Sequence, residues 1–388
     1  MQRKVLVIGA TGHLGKAIAR KLKYKGYEVT AQGRNGHLCD ELKQEGFRVI
    51  QASDNDASVL EAACRDQTIV INCAGQAKQF AKKSDYESAN VNVVKTLIAG
   101  CLKHNAKLIH LSSPSIYCNY EDQLNVSEEC KIPDVHSSDY SYSKHEADKL
   151  IFEAAKQNLR YVIFRPHLVV GPEDKKILAG LIKAHESGSI PLFRNGEVLI
   201  DLTDIENFVS AIMLAVETSR GDGKIFNISN GDPQELKKLL VELFQQINTP
   251  LKTTSMPVNF WFLGNVLSLI EKACKASHYF GFNPELFYTK YSLGLFANHF
   301  TLDISNAKNT LGYNPVVTTK ESIRRFAEEY KKSDHPTEKH RAGWDGKKIL
   351  TAAGVVMGAT YLAYNLFSGR HDSATEATAT ISELCPKM

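Results

Sequence analysis

The chain has 388 residues, 43% hydrophobic and 23% charged, and its 47 basic and 43 acidic side chains leave a net charge of +4. That is a globular composition, long enough for one large domain or two smaller ones, and the near balance of charge argues against nucleic-acid binding. The lysine runs (Lys21, Lys23 and Lys25; Lys82 and Lys83; Lys175 and Lys176) are dispersed and offset by acids, as on a solvated face.

In chain order, Lys4–Ile8 is a short apolar run closed by glycine, the pattern of a buried strand. The stretch from Lys16 to Lys25 has helical periodicity with Ile18 and Leu22 inward, and Tyr27 to Ala31 reads as a second strand. Further strands are expected at 48–50, 68–71, 107–111 and 161–164. Helical patterns separate most of them, at 57–64, 90–104 and 144–157. This alternation predicts an α/β fold with a Rossmann-type doubly wound parallel sheet, covered on both faces, whose ligands sit at the carboxyl ends of the strands.

After Pro166 the rhythm loosens, with Pro172, Pro191, Gly196, Gly221, Gly223 and Gly231. A first domain over 1–165, holding this parallel sheet, and a smaller mixed lobe over 166–332 are expected. Residues 333–348 read as a polar linker and 368–388 as a polar tail. Between them, 349–367 carry no charge and reach about the length of a spanning helix. Gly354 and Gly358 have the GxxxG spacing of packed membrane helices, whereas the many small residues and Asn365 dilute the apolarity. A membrane anchor and a docked C-terminal helix both stay open. The basic residues before the segment (Lys339, Arg341, Lys347 and Lys348) would keep an anchored enzyme domain cytoplasmic.

The eight cysteines (Cys39, Cys64, Cys73, Cys101, Cys118, Cys130, Cys274 and Cys385) show no CxxC spacing, which predicts reduced, mostly buried thiols in a cytoplasmic setting. No secretory leader is expected, because the first apolar stretch carries the glycine motif. The histidines have no metal-ligand spacing, and no metal is expected.

That glycine motif is Gly9-Ala-Thr-Gly12-His13-Leu14-Gly15, set between an apolar strand and an amphipathic helix. Gly9 permits the tight turn, Gly12 lets the backbone approach a pyrophosphate, and Gly15 lets the helix pack on the sheet. The helix start at His13 and Leu14 offers N–H groups to phosphate. At the end of the second strand, Ala31-Gln-Gly-Arg34-Asn35 has no carboxylate for a ribose hydroxyl, and Glu28 lies at the wrong end of the strand. Arg34 suits a 2′-phosphate, so NADP(H) is expected over NAD(H).

Far downstream, Tyr140-Ser-Tyr-Ser-Lys144 places a phenol and an ammonium one helical turn apart on one face. A neighbouring ammonium lowers a phenol's pKa from about 10 and makes it an acid or base usable near neutrality. Tyr142 is a poorer candidate, because Glu146 stands one turn on from it. Ser112 and Ser113 end the strand over 107–111, where a hydroxyl would meet the reacting oxygen.

With these motifs, residues 3–330 resemble the extended short-chain dehydrogenase/reductase superfamily. The likeness rests on the glycine loop, Ile71-Asn-Cys-Ala74-Gly75, Asn90-Val-Asn-Val-Val-Lys-Thr, Ser-Ser113-Pro-Ser-Ile-Tyr117, the Tyr140–Lys144 motif, and Arg165-Pro166 followed by Gly171-Pro172. The resemblance implies a Ser113, Tyr140 and Lys144 triad, Ser113 being chosen because it stands four before Tyr117. It implies that Tyr140 exchanges a proton with the substrate oxygen, Lys144 holds the nicotinamide ribose, and Ser113 polarises the carbonyl. Asn90 would stand beside the cofactor, with Ala74, Gly75 and Pro166 lining it. The run Ala52-Ser53-Asp54-Asn-Asp56 departs from the family, with Ser53 where an adenine-binding Asp often stands.

Single residues separate the family's chemistries. Ser113-Pro114-Ser115 lacks the extra acid and base of the sugar-nucleotide dehydratases. Ile200 before Asp201 stands where epimerases usually carry a diphosphate-binding arginine. Asp201-Leu-Thr-Asp-Ile-Glu-Asn207, Leu302-Asp-Ile-Ser-Asn-Ala-Lys and Leu311-Gly-Tyr-Asn-Pro315 look like the 3β-hydroxysteroid dehydrogenase branch. The apolar run 257–270 is too short to span a bilayer and reads as a core helix, a lipophilic pocket wall or a membrane-surface helix. The expectation is an NAD(P)-dependent dehydrogenase or reductase that interconverts a hydroxyl and a keto group on a small lipophilic, steroid- or sterol-like substrate. A sugar-nucleotide epimerase and a catalytically silent nucleotide-binding subunit are the alternatives. Homodimerisation is expected from the resemblance alone.

Overall fold

A computed structural model describes residues 3–333 except 55, 79–80, 187, 189, 257–259 and 278–288. The expected linker from 334 on, the candidate anchor over 349–367 and the polar tail therefore lie outside the described residues. Among those described, no helix is long and apolar enough to cross a membrane.

The first half alternates as expected: β1 (Lys4–Ile8), α1 (His13–Tyr24), β2 (Glu28–Gly33), α2 (Gly36–Gln44), β3 (Arg48–Gln51), α3 (Ala57–Ala63) and β4 (Ile69–Asn72). Next come α4 (Lys83–Tyr86), a π-helical turn (Glu87–Asn92), α5 (Val93–His104), β5 (Lys107–Leu111), β6 (Gln123–Val126), α6 (Asp139–Ala155) and β7 (Tyr161–Pro166). Shorter elements follow: β8 (Val169–Val170), α7 (Leu178–Glu186), β9 (Ile190–Leu192), β10 (Leu199–Ile200), β11 (Thr203–Asp204), α8 (Ile205–Glu217) and β12 (Lys224–Ile228). The remainder is β13 (Gln234–Glu235), α9 (Leu236–Gln246), β14 (Thr253–Ser255), α10 (Phe260–Ser277), α11 (Lys290–Gly294), β15 (Phe300–Leu302) and α12 (Thr319–Lys332).

Seven parallel strands form the main sheet in the order β12-β7-β5-β4-β1-β2-β3. The order reverses between β1 and β4, and the crevice at such a switch point is where doubly wound sheets bind ligands. Alternate residues of β1 face opposite ways. Val5 and Val7 join a core with Ile18 and Leu22 of α1 and Phe208 and Ile212 of α8. Leu6 and Ile8 join another with Leu60 of α3, Leu97 of α5 and Ile151 of α6.

The boundary expected at 165/166 does not divide this unit. β12 extends the sheet beside β7, and α8 covers it, so the chain after Pro166 returns to the main sheet. One compact unit holds the described residues of 3–255 and 294–333, and those of 256–293 belong to a second. In that second unit, the apolar run forms α10 from Phe260 on, with Leu263 and Leu267 buried and Trp261 and Leu269 exposed.

The motifs of the steroid-dehydrogenase-like branch serve as ties. Asp201 Oδ2 accepts from Leu302 N at 2.7 Å, and Asn207 Oδ1 accepts from Val316 N and Val317 N at 2.9 and 3.1 Å. Ser322 Oγ of α12 donates to Asp204 Oδ2 at 2.7 Å.

Candidate active site

The glycine turn lies at the switch point. Gly9 has φ +74°, and a Cβ on it would meet Ala74 N at 2.8 Å; one on Gly15 would meet Gly9 O at 2.3 Å. The turns that follow the neighbouring strands β1 and β4 thus pass closer than any side chain allows. α1 begins after Gly12 with no side-chain cap, so the first N–H groups of the helix, on His13, Leu14 and Gly15, have no intrahelical acceptor. Such a terminus fits a pyrophosphate.

Gln32, which the motif reading missed, braces this edge. Its Oε1 accepts from Gly9 N at 3.0 Å and its Nε2 donates to Ala52 O at 2.7 Å, tying the ends of β1, β2 and β3. A buried amide in a strand otherwise apolar at its ligand end was the available signal. Arg34 follows β2, well exposed, with Nη1 3.3 Å from Asp54 Oδ2. Glu28 lies 4.0 Å from Lys4 Nζ at the opposite end of the sheet, away from the crevice. Ser53 N is held by Asp56 Oδ2 at 2.6 Å.

Tyr140 and Lys144, the residues expected to handle the proton, come from α6, which starts at Asp139 rather than near 144 because the Ser138 hydroxyl caps it by accepting from Ser141 N. Tyr140 and Lys144 therefore do share a helix. The Tyr140 ring lies 6.3 Å from that of Tyr86, and the Ser113 hydroxyl acts on its phenol. Ser113 also accepts from Ser115 N at 3.2 Å, while its neighbour Ser112 turns beneath the site and donates to Asp148 Oδ2 at 3.0 Å. Tyr142 is 41% exposed, and Lys83 Nζ lies over its ring, so it faces away from this arrangement.

One expectation is corrected. The phenol of Tyr140 is not lowered by Lys144: burial raises it above the ordinary 10, and the Ser113 hydroxyl is what pulls it back. The ammonium is engaged elsewhere. Lys144 Nζ donates to Leu111 O at 2.8 Å and would lie 3.3 Å from a Cβ on Gly75. Burial pushes Lys144 down to about 8, against which Asp148 and Cys73 act to raise it. The Cys73 thiol is itself pushed up to about 12 by burial. His110 lies below, held well under its ordinary 6.5 by burial and by the charges of Lys144 and Arg165.

Asn90 reaches the crevice from the π-helical turn. Its Oδ1 accepts from Gln76 N at 2.7 Å and its Nδ2 donates to Ser143 Oγ at 2.8 Å. A Cβ on Gly75 would come within 3.0 Å of that Oδ1, so the strip from Ala74 to Gln76 has room only for bare backbone. Pro166 ends β7 beside Ile228 of β12.

Asp148 and Arg165 form a salt bridge of 2.7 Å with both side chains almost wholly buried. Arg165 donates onward to the Tyr117 hydroxyl, which lies 3.3 Å from Asn227 Oδ1. The sequence reading used Arg165 only as part of a motif. Its signal was a charge on the inward stripe of α6, at Asp148, facing a strand that also carries one.

These residues fit a nicotinamide dinucleotide. Gly9, Gly12, His13, Leu14 and Gly15 would hold its pyrophosphate, and Ala74, Gly75, Asn90 and Lys144 would border its ribose and ring. When bound, the nicotinamide supplies or accepts a hydride. The Tyr140 phenol and the Ser113 hydroxyl belong to the same edge of the crevice, the Ser113 hydroxyl acting to lower the phenol.

Comparison with known proteins agrees with this geometry. The family model described as the NAD dependent epimerase/dehydratase family matches residues 5–229. A 2-alkyl-3-oxoalkanoate reductase of Shewanella oneidensis is 28% identical over 336 residues, covering 82% of this chain and 84% of that protein. A decarboxylating sterol-4-alpha-carboxylate 3-dehydrogenase of Mus musculus is 26% identical over 339 residues, covering 84% and 91%. Among solved structures, UDP-glucose 4-epimerase of Thermotoga maritima, crystallised with UDP-glucose, superposes with a TM-score of 0.67 at 20% identity. It covers 85% of this chain and 99% of that one, which establishes the shared fold. With well over half its length matched and the dinucleotide crevice in place, the chain belongs to the NAD-dependent epimerase/dehydratase family of the extended short-chain dehydrogenases/reductases, and is an NAD-dependent oxidoreductase.

Proposed function

We propose that the protein interconverts a keto and a hydroxyl group on a lipophilic substrate whose reacting carbon lies β to a carboxylate. The observation that carries the redox part is the placing of Tyr140 and Lys144 one turn apart on α6, with the Lys144 ammonium beside Gly75 at the crevice and the Ser113 hydroxyl acting on the phenol. In the reducing direction Tyr140 gives its proton to the carbonyl oxygen while Ser113 donates a hydrogen bond to it; in the oxidising direction Tyr140 takes that proton back.

The substrate part draws on chemistry that two relatives share by name. A 3-oxoalkanoate and a sterol-4-carboxylate oxygenated at carbon 3 both place the redox carbon β to a carboxyl group, on a chain or ring otherwise apolar. Ile200, 1% exposed and paired with Phe300, offers no charge to a sugar nucleotide's diphosphate, which supports the lipophilic reading over an epimerase. The test is a panel with NADH and NADPH: a 2-alkyl-3-oxoalkanoate, the matching ketone without its carboxylate, a 3-oxosteroid and UDP-glucose. The oxoacid is expected to give kcat/KM about tenfold or more above the matching ketone, the scale of one charge-assisted contact. Turnover of UDP-glucose with none on the oxoacid or steroid defeats the reading.

We further propose NADP(H) as the preferred form. Support comes from Arg34, exposed beside the end of β2 and only loosely paired with Asp54, and from Glu28 lying at the far end of the strand. Arg34→Ala should raise KM for NADPH about tenfold and leave KM for NADH nearly unchanged. Equal effects on both coenzymes count against a phosphate contact.

A further inference from the structure

We propose that Asp148 is a positioning residue for the reaction: one carboxylate fixes the serine loop from below and keeps the Lys144 ammonium charged. The inference rests on the catalytic reading of Ser113, Tyr140 and Lys144, and concerns a residue outside that triad.

Asp148 stands one turn after Lys144 on the same buried stripe of α6 and is 0% exposed. Its Oδ2 accepts from Ser112 Oγ at 3.0 Å and from Arg165 Nη2 at 2.7 Å, while its Oδ1 is buried without a hydrogen-bond partner. Ser112 adjoins Ser113. Three residues before Lys144, Ser141 Oγ donates to Ser115 O at 2.8 Å. The helix that carries Tyr140 and Lys144 therefore grips the segment 112–115 at two points, on either side of Ser113. Farther along that segment, Tyr117 is held by the same Arg165 that Asp148 binds. These bonds tie the segment that carries Ser113 to the helix that carries Tyr140.

The electrostatic role follows from what surrounds the ammonium. Lys144 donates to Leu111 O and lies beside Gly75, with Asn90 Oδ1 across that glycine, and its charge acts on the Cys73 thiol and the imidazole of His110. The thiol is protonated and the imidazole neutral near pH 7, for the reasons given above. Asp148 is the acidic side chain that acts on Lys144, and it opposes the burial that lowers it. Arg165 draws on the same carboxylate but is not among the charges acting on Lys144. One acid thus serves a structural cation and a functional one.

The test needs no turnover, so its outcome is separable from that of the substrate reading. Competitive acetylation with acetic anhydride across pH, read on the Lys144 peptide, reports the ammonium's midpoint. Hydrogen exchange at the amides of Ser115, Ile116 and Cys118 reports the loop. D148N should lower the midpoint by about one unit or more and speed loop exchange about tenfold, whereas D148E should restore the midpoint. S112A should speed the loop but leave the midpoint in place. A D148N midpoint equal to wild type overturns the electrostatic role, and S112A exchange equal to wild type overturns the positioning role. Should D148N fail to fold, D148N/R165M removes both buried charges together and carries the labelling measurement with the same expected sign.

Discussion

Replacing Tyr140 with phenylalanine is expected to lower turnover by about a thousandfold while dinucleotide affinity stays within about twofold of wild type. The substitution keeps the ring against Tyr86 and removes only the hydroxyl on which Ser113 acts. No contact of the glycine turn, Asn90 or Lys144 passes through that oxygen. Single-turnover reduction of the best ketone in the panel, beside fluorescence titration with NADH, separates the two quantities. Full activity in the variant removes Tyr140 as proton donor. The pH dependence has a defined sign. Burial raises the phenol above the ordinary 10, so it stays a proton donor throughout the neutral range. Lys144, lowered to about 8, loses its proton first. Reduction should therefore hold steady below that value and fall as pH rises through it.

The second large effect concerns stability. Arg165→Met should cost about 3–5 kcal/mol, the range for breaking a buried ion pair from one side. The guanidinium is 1% exposed and pairs with Asp148 at 2.7 Å, and its removal strands a carboxylate that no water reaches. Tyr117 loses a hydrogen bond at the same time. Urea unfolding should show a lower midpoint with an unchanged slope. A change below about 1 kcal/mol means that the pair is not formed in solution, because that is the scale of an exposed salt bridge and not of a buried one broken from one side.

How far the sequence reveals this molecule depends on the range of the interaction. Strands such as Lys4–Ile8 and Lys107–Leu111 are legible because each is an apolar run with a turn signal at its end. β12 is not: Asn227 interrupts its apolar run and glycines crowd its approach, so it reads as part of a loose lobe although it completes the sheet. The glycine turn is legible because its requirement is local, a positive φ at Gly9 and a missing Cβ at Gly15. The spacing of Tyr140 and Lys144 likewise fixes that they share a helix. It does not fix where the ammonium points, which is decided by Leu111 O on a neighbouring strand. Gln32, Asp148 and Arg165 belong to the same class. Their partners are 15 or more positions away, and no periodicity records such a pairing.

The ties at Asp201, Asp204 and Asn207 bear on biosynthesis. Each is an acceptor on the middle of the chain, and each receives its donor from the segment between Leu302 and Ser322. A polypeptide still on the ribosome, with residues up to 293 released, has these groups in place without the donors that come from 302–322. The seven-stranded sheet by then has all its strands. Closure of the unit waits for α12, so the nascent protein passes through an interval in which its sheet is complete and its last buried acceptors still face water.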